Sequence, residues 1–332
     1  MSDGIDFETT APTTTTLALR WRHGTPGRRR PAEPPIEVHR CDPHTFILRQ
    51  SKSVSYEAPF MYLLFGNERA VLFDTGATAD PARFPLRATV DGLVGSWLSE
   101  HPRDGYELVV AHTHGHNDHV AADGQFDGRP ATTVVGRELE AVRRHFGFTS
   151  WPDQVVTFDL GGRVLELTGS PGHHRAAVTV YDRWTGFLLT GDTVLPGRLY
   201  AFDFPAFQES LERLVALAEE RCVTHVLGCH VEMTDRPGHD YPLGATYQPD
   251  ERPLQMTIGQ LRAVRSAAAA VATKRGPHRF DDFIIYNEPG LADQLALAAR
   301  GLLYKLRPRS SAPDRLDRGS GGRAGPSQAP AT

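Results

Sequence analysis

Short apolar runs rich in β-branched residues recur through the central part of the chain and predict β-strands. The runs are Thr45–Leu48, Met61–Phe65, Ala70–Phe73, Leu108–Ala111, Thr132–Val135, Val164–Leu167, Val178–Tyr181, Phe187–Thr190 and Val223–Leu227. Gly66-Asn67 and Gly161-Gly162 separate some of these runs, and such dipeptides favour hairpin turns. The central part of the chain is therefore predicted to be rich in sheet.

Apolar residues with helical spacing lie between the strands and predict covering helices. One stripe runs over Val90–Leu98, a shorter one over Leu139–Phe146 and a third over Phe207–Ala218. The third stripe is preceded by Asp203 and Pro205, residue types that favour the start of a helix. Strands and helices mixed in this order predict an α/β architecture of layered sheets covered by helices.

The character of the chain changes at about Pro249. Leu254–Lys274 is rich in Ala, Leu, Gln and Arg and predicts a long helix. Phe280–Tyr286 is typical of a strand or an apolar loop, and Leu291–Leu306 predicts a final helix. Together these segments predict a helical C-terminal extension packed on the main domain.

Both ends of the chain lack the periodicity of a helix or a strand. The first 34 residues contain the run Thr13–Thr16, five arginines and several prolines, and the segment after Pro308 is rich in Ser, Gly, Pro and Arg. Such compositions are typical of disordered tails. The predicted organisation is a tail over 1–34, a main domain over 35–248, the extension over 249–307 and a second tail over 308–332.

Composition and charge exclude several classes of protein. In this chain 40% of the residues are hydrophobic and 23% are charged, a composition typical of a globular protein. A net charge of −4 gives no reason to expect nucleic acid as a partner. No apolar run approaches the ~18–20 residues needed to span a bilayer, and the N-terminus lacks the basic-then-apolar pattern of a secretory signal. The three cysteines, Cys41, Cys222 and Cys229, are typical of reduced thiols. We therefore expect a cytoplasmic protein without a membrane partner; its oligomeric state stays open.

The densest chemical signal lies directly after the predicted strand Leu108–Ala111. Four histidines and one aspartate fall within the eight residues His112–His119. Crowded imidazoles repel one another when they are protonated, whereas a divalent cation binds the neutral rings and an aspartate supplies compensating charge. The adjacent Asp118-His119 pair selects His114-x-His116-x-Asp118-His119 as the ligand set, and His112 is expected to be a buried, non-ligating histidine.

This segment resembles the signature of the metallo-β-lactamase superfamily, Thr/Ser-His-x-His-x-Asp-His after a strand. Further landmarks of the family follow in the same order along the chain. They are Phe73-Asp74-Thr75-Gly76, Ser170-Pro171-Gly172-His173, Thr190-Gly191-Asp192-Thr193 and Leu227-Gly228-Cys229-His230. Each landmark alone is a weak signal, but five in order, each at the end of a predicted strand, are specific. The resemblance covers roughly residues 45–235 and implies an αββα four-layer sandwich.

The resemblance also implies a centre of two divalent metal ions. His114, His116 and His173 would bind the first ion, Asp118, His119 and His230 the second, and Asp192 would bridge them. Zn²⁺ is the default for such donors, with Fe or Mn as alternatives. The sequence departs from the family after Pro171-Gly172-His173, where His174 and Arg175 replace the usual Thr or Ser, so His174 competes with His173 as the ligand.

The implied activity is that of a binuclear metal-dependent hydrolase. A metal-bound hydroxide would attack a small-molecule ester, thioester or lactone, and Asp118 would orient the nucleophile and shuttle a proton to the leaving group. Loops near the ligands offer Tyr56, Phe60, Met61, Arg198, Tyr200, Tyr241 and Tyr247 as candidates for the pocket wall. The alternative for these aromatic residues is packing of the extension against the main domain.

Two other classes of function remain open. The first is a mononuclear iron dioxygenase acting on persulfides, which the superfamily also contains and which would use His114, His173 and Asp192. Metal analysis combined with oxygen consumption distinguishes it from a hydrolase. The second is a non-catalytic binding protein on the same scaffold, which the presence of all seven ligand residues disfavours.

Overall fold

The computed structural model describes residues 4–8, 17, 19–26 and 33–306. The strands of this part of the chain are β1 Ile36–Asp42, β2 Thr45–Gln50, β3 Phe60–Phe65, β4 Arg69–Phe73, β5 Glu107–Ala111, β6 Thr132–Val134, β7 Val155–Asp159, β8 Val164–Gly169, β9 Val178–Asp182, β10 Phe187–Gly191, β11 Arg198–Ala201, β12 His225–Gly228, β13 Gln255–Met256, β14 Gly276–Arg279 and β15 Ile284–Asn287. The helices are α1 Leu86–Glu100, α2 Asn117–Val120, α3 Leu139–Phe146, α4 Phe204–Glu220, α5 Ile258–Ala270 and α6 Leu291–Leu306. None of these helices is long and apolar enough to cross a membrane.

Two mixed six-stranded sheets form the centre of the domain. The first has the strand order β1-β2-β3-β4-β5-β6, and the second has the order β13-β12-β10-β9-β8-β7. In the first sheet β4, β5 and β6 run parallel, and in the second β10 and β12 do. Parallel neighbours end at the same edge of a sheet, so the loops that follow them lie close together.

The two sheets pack face to face, and helices cover their outer faces. Every residue of β2 is buried, because alternate side chains enter different layers. Ile47 enters the core between the sheets together with Val180 of β9, while Leu48 enters the outer core with Val94 of α1. On the other side, α4 and α5 pack on the second sheet. The predicted αββα sandwich is therefore confirmed.

The C-terminal segment is less helical than its composition predicts. Helix α5 spans Ile258–Ala270 rather than Leu254–Lys274, and Thr257 begins it with a capping box shared with Gln260. The residues before α5 form β13, which pairs with β12 in the second sheet. This pairing accompanies the burial of Leu254 and Met256 in the hydrophobic core. β14 and β15 form a small sheet with β11, and α6 is a helix as predicted. The C-terminal extension thus contains the helices α5 and α6 together with the short strands β13, β14 and β15, and its boundary at 249 stays a prediction.

Part of the expected N-terminal tail is packed on the domain. Phe7 contacts the rings of His44 and Trp184, and Trp21 contacts Phe60. Leu17 also belongs to the core between the sheets. The expectation of a disordered tail over 1–34 is wrong for these described residues, since burial of large apolar side chains offsets the entropy of ordering them. Residues 1–3, 9–16, 18 and 27–32 of that segment, and 308–332, lie outside the described part of the chain.

Candidate metal centre

The predicted ligands follow the carboxyl ends of four strands, one in the first sheet and three in the second. The loop after β5 carries the histidine-rich segment, and the loops after β8, β10 and β12 carry His173, Asp192 and His230. Two glycines make these loops possible. A Cβ on Gly172 (φ +132°) would lie 2.5 Å from the Cα of Phe207, and one on Gly191 (φ +54°) would lie 2.8 Å from the Cβ of Thr113. Only glycine therefore fits where the loops turn towards the site.

Three histidines converge in the first group of donors. Nδ1 of His116 lies 3.0 Å from Nε2 of His114 and 3.0 Å from Nε2 of His173. A single ring nitrogen cannot satisfy two such neighbours as a hydrogen-bond donor, whereas nitrogens bound to one zinc ion at about 2.0–2.1 Å lie close together in this way. Nδ1 of His173 contacts the backbone oxygen of Tyr200 at 2.9 Å, which orients its ring. The first group therefore fits a cation held by three nitrogens.

Two histidines and two carboxylates form the second group. Nε2 of His230 lies 3.3 Å from Nε2 of His119 and 3.2 Å from Oδ2 of Asp118. Oδ2 of Asp118 also lies 3.5 Å from Nε2 of His119. These donor atoms and one oxygen of Asp192 all lie within 4.8 Å of one another. Nitrogen and carboxylate oxygen donors in this arrangement suit a divalent transition metal or zinc.

Asp192 lies between the two groups. Its Oδ2 is 3.8 Å from Nε2 of His173 in the first group, and 3.6 Å from Nε2 of both His119 and His230 in the second. Its Oδ1 is buried and has no hydrogen-bond partner among the described residues. A buried carboxylate oxygen without a partner is costly, and a bound cation would supply the missing interaction. The position of Asp192 thus fits a carboxylate shared by two ions.

Asp74 supports the site from behind. Its Oδ1 accepts a hydrogen bond from the backbone N–H of Thr113, and its Oδ2 accepts from the Thr113 hydroxyl and the thiol of Cys229. The same Oδ2 lies 3.1 Å from Nδ1 of His119. A carboxylate behind a histidine fixes the tautomer that directs the opposite nitrogen forward. Asp74 therefore orients Nε2 of His119 towards Asp118 and His230.

The two groups differ in their electrostatics. Burial lowers the pKa of His114 well below its ordinary value and that of His173 to about 4. Burial acts in the same direction on His230, but Asp192 and Asp118 outweigh it and raise the pKa to about 9. Burial opposes ionisation of Asp192, yet His230 and His119 hold its pKa at about 2. The first group is neutral at pH 7, whereas the second consists of ion pairs.

The structure brings together all seven predicted ligands in two donor groups, and neither group includes the two competitors, His112 and His174. His112 belongs to neither group, and its Nε2 faces Oδ2 of Asp123 at 3.2 Å. Nδ1 of His174 accepts a hydrogen bond from the backbone N–H of Ala176, and its ring packs on His116 with centroids 5.0 Å apart. This geometry favours the ligand set inferred from the sequence, and the assignment of each ligand stays a prediction.

A cavity of about 120 Å³ lies beside the second group. Its wall includes the expected residues Tyr56, Arg198 and Tyr200, together with Lys52, Glu57 and Glu232, which the sequence analysis missed. Lys52 and Glu57 lie in the polar segment before β3, on either side of Tyr56 in the chain. Lys52 and Glu57 are close in sequence to Tyr56, a predicted wall residue, and this closeness could have identified them from the sequence.

Several expected wall residues have other roles. Phe60 and Met61 are fully buried in the core, and the hydroxyl of Tyr241 accepts a hydrogen bond from the backbone N–H of Asp250. Tyr247 lines a separate cavity near the N-terminal segment. None of these four residues lines the cavity beside the second group.

Arg198 cannot easily serve as a free anion-binding group. Its guanidinium pairs with Glu232 and donates to Oδ2 of Asp240 and the backbone oxygen of Tyr241, each at 2.8 Å. Lys52 is different, because it shares the carboxylate of Glu251 with Arg49, and all three side chains are buried. Lys52, which lines the cavity, therefore belongs to a buried cluster of two cations and one carboxylate, and burial lowers its pKa to about 8.

Comparison with known proteins agrees with the fold and the motifs. The sequence profile of the metallo-beta-lactamase superfamily matches residues 57–265. A hydroxyacylglutathione hydrolase of Synechococcus sp. is 27% identical over 261 residues, which are 75% of this chain and 90% of that protein. The human acyl-coenzyme A thioesterase MBLAC2 is 26% identical over 226 residues, which are 56% of this chain and 74% of that protein.

A metallo-beta-lactamase from Pontibacter korlensis of known structure has 17% identity and a TM-score of 0.48, covering 70% of this chain and 99% of that one. The profile match extends over more than half of the sequence and includes all seven candidate ligands. The chain therefore belongs to the metallo-β-lactamase superfamily, and it is a hydrolase of that fold.

Proposed function

We propose that this protein is a binuclear metal-dependent thioester hydrolase. His114, His116 and His173 would hold the first cation, with Asp118, His119 and His230 around the second and Asp192 shared between them. The observation that carries the proposal is the position of Asp192, whose Oδ2 lies within 3.8 Å of donors from both groups. A mononuclear centre would use only His114, His173 and Asp192. Zn²⁺ is the expected metal, and Fe or Mn would also accept these donors.

Divalent cations, when bound, supply Lewis acidity that polarises a substrate carbonyl and lowers the pKa of water to about 7. The protein supplies the positioning of the reacting groups. Asp118 borders the cavity and is held by His119 and His230, so its carboxylate can orient the attacking water. Oδ2 of Asp118 can then accept the proton of that water and deliver it to the leaving sulfur.

The thioester class is favoured by the relatives and by the cavity. The names of two of them, a hydroxyacylglutathione hydrolase and an acyl-coenzyme A thioesterase, denote enzymes of thioesters. The thiol carriers of both substrates bear anionic groups, and Lys52 places positive charge in the wall beside the second group. We infer that Lys52, which shares a single carboxylate with Arg49, binds a carboxylate or phosphate of the leaving thiol, since Arg198 is held by two carboxylates, those of Glu232 and Asp240.

Metal analysis and a matched substrate panel test this proposal. We expect about two metal equivalents per chain by mass spectrometry, and faster hydrolysis of an anionic thioester than of its oxoester, a lactone or a β-lactam. Chelation should abolish hydrolysis and lower the melting temperature, because seven ligand residues lose their common partner. One iron per chain with oxygen consumption and no hydrolysis would instead identify a dioxygenase and overturn the proposal.

A further inference from the structure

Phe202 is an exposed aromatic residue beside the first group of donors. It is 51% exposed, and no other Phe, Tyr or Trp in the described part of the chain is exposed. The centroid of its ring lies 5.7 Å from that of His173 and 6.5 Å from that of His116. A single exposed apolar side chain is common on protein surfaces, but this one contacts two candidate metal ligands. Its position therefore places it where a substrate of the centre would lie.

The backbone on both sides of Phe202 is fixed to the loop that carries His173. On one side, the backbone oxygen of Tyr200 contacts Nδ1 of His173 at 2.9 Å. On the other side, the backbone N–H of Asp203 donates to the backbone oxygen of Gly172 at 3.0 Å, and the Asp203 carboxylate caps α4. The position of Phe202 is thus determined before a ligand binds, so contact with its ring costs little ordering of the protein.

Phe202 extends an aromatic surface that begins in the cavity beside the second group. Tyr200 lines that cavity, and its ring is nearly parallel to that of Phe202, with an angle of 8° and centroids 6.1 Å apart. Ala201, between them in the chain, is buried. The two rings therefore form one surface that leads from the cavity to the first group.

The metal centre is accessible on the side of Phe202. His114 and His173 are buried, whereas His116, which contacts Phe202, is partly exposed. Asp118, the residue that we expect to orient the attacking water, is partly exposed as well. A substrate that reaches Asp118 and extends over His116 therefore meets the ring of Phe202.

The proposed function determines which part of the substrate lies there. The cavity with Lys52 is beside the second group, and we have assigned it to the leaving thiol. The carbonyl that is attacked must lie near Asp118 and Asp192. Because the acyl group is bonded to the opposite side of that carbonyl, it extends away from the cavity and over the first group.

We propose that Phe202 binds the acyl group of the substrate and that this group is an apolar chain. The inference rests on the proposed thioester hydrolysis and names the acyl half of its substrate. An alkyl chain that lies against the ring is removed from water. Complete burial of one methylene strengthens binding about fourfold, and half burial against an exposed ring strengthens it about twofold. The rate should therefore depend on the length of the chain.

A series of chain lengths tests the proposal on the metal-loaded full chain. Thioesters of 3-mercaptopropionate with acetyl, butyryl and hexanoyl groups share one anionic thiol and differ only in the acyl chain. In the unmodified protein kcat/KM should rise about twofold to fourfold per added methylene, mainly through KM. Phe202→Ser should abolish this dependence on length. Phe202→Leu, which keeps an apolar side chain, should retain most of it.

Val38→Ser is the matched control. Val38 is also exposed, at 40%, but it lies on β1, four strands away from β5 in the first sheet. This variant should keep the chain-length dependence of the unmodified protein. Because Phe202 and Val38 are both exposed, thermal melting should show that all three variants are folded. Rates that do not depend on chain length, or an equal dependence in Phe202→Ser, would overturn the proposal and leave the proposed hydrolysis intact.

Binding of uncleavable analogues separates this inference from the proposed reaction. In these thioethers of 3-mercaptopropionate one methylene separates the carbonyl from the sulfur, so they cannot be hydrolysed at that bond. Calorimetry should give a Kd that falls about twofold to fourfold per methylene in the unmodified protein and stays constant in Phe202→Ser. If no thioester is hydrolysed, the proposed function fails, and the Kd series still decides the role of Phe202. A Kd that is independent of chain length in the unmodified protein would overturn that role.

Discussion

The two halves of the candidate metal centre are built from different chemistry. The half formed by His114, His116 and His173 contains three imidazoles whose pKa is lowered, and none of its three donors is a carboxylate. In the other half, carboxylates face protonated imidazoles and ion pairs hold the donors together. Protons can therefore substitute for the metal in the second half but not in the first. This difference predicts that the halves respond differently to mutation, to metal and to pH.

The largest effect is expected in the second half, from Asp118→Ala. This change removes a metal ligand and the group that orients the attacking water. Turnover should fall by about 10²–10⁴, or about 3–5 kcal/mol of barrier, mainly in kcat, while about one metal stays bound in the first half. Steady-state kinetics and metal analysis measure both quantities. Full metal content with near-normal turnover would contradict the binuclear mechanism.

In the first half, His116→Ala should remove the first metal and about 90% or more of the activity. His112→Ala is the matched control four residues earlier, and it should leave the metal stoichiometry unchanged because its ring faces Asp123. His173→Ala and His174→Ala form a second pair with the same expected contrast. Metal analysis of all four variants checks which histidines are the ligands. The proposed assignment is wrong if His112→Ala loses metal and His116→Ala does not.

A smaller effect is expected from Lys52, which lies in the cavity beside the second half. Lys52→Met should raise KM for a carboxylate-bearing thioester about tenfold with kcat nearly unchanged, as one charge-assisted contact is lost. Lys52→Arg, which keeps the charge, should recover most of this loss, and a neutral thioester should be insensitive to both changes. Because Lys52 also contacts Glu251, thermal melting must show that each variant is folded. An equal rise in KM for the neutral substrate would refute charge recognition.

The smallest effect concerns protons released when metal binds. In the metal-free protein the pKa of His230 is raised to about 9, so its stabilising proton is fully present below about pH 6.5 and lost as pH rises through about 9. His173, with its pKa lowered to about 4, is neutral at pH 7. Calorimetry at pH 7 in two buffers should therefore show about one or two protons released from the second half and almost none from the first. Equal release of protons from both halves on metal binding would contradict the proposed difference in their protonation.

The sequence by itself determined the layered α/β architecture and the order of the candidate donors, and its resemblance to the family implied the sandwich. Short apolar runs and helical stripes are local patterns, and each landmark ends a strand with glycines at the turns, as at Gly172 and Gly191. Local constraints of this kind are visible in the sequence, because nearby residues create them. The same holds for α6, whose helical spacing predicted its bounds.

The tertiary structure alone decided which groups are free and which are paired. Arg198 is paired with Asp240, and Lys52 is paired with Glu251, a residue 199 positions away in the chain, so no local pattern could show how the charge of either side chain is compensated. The packing of Phe7 and the entry of β13 into the second sheet are equally remote contacts. Burial and charge at a site are sums over neighbours that folding brings together, and their partners are distant in the chain.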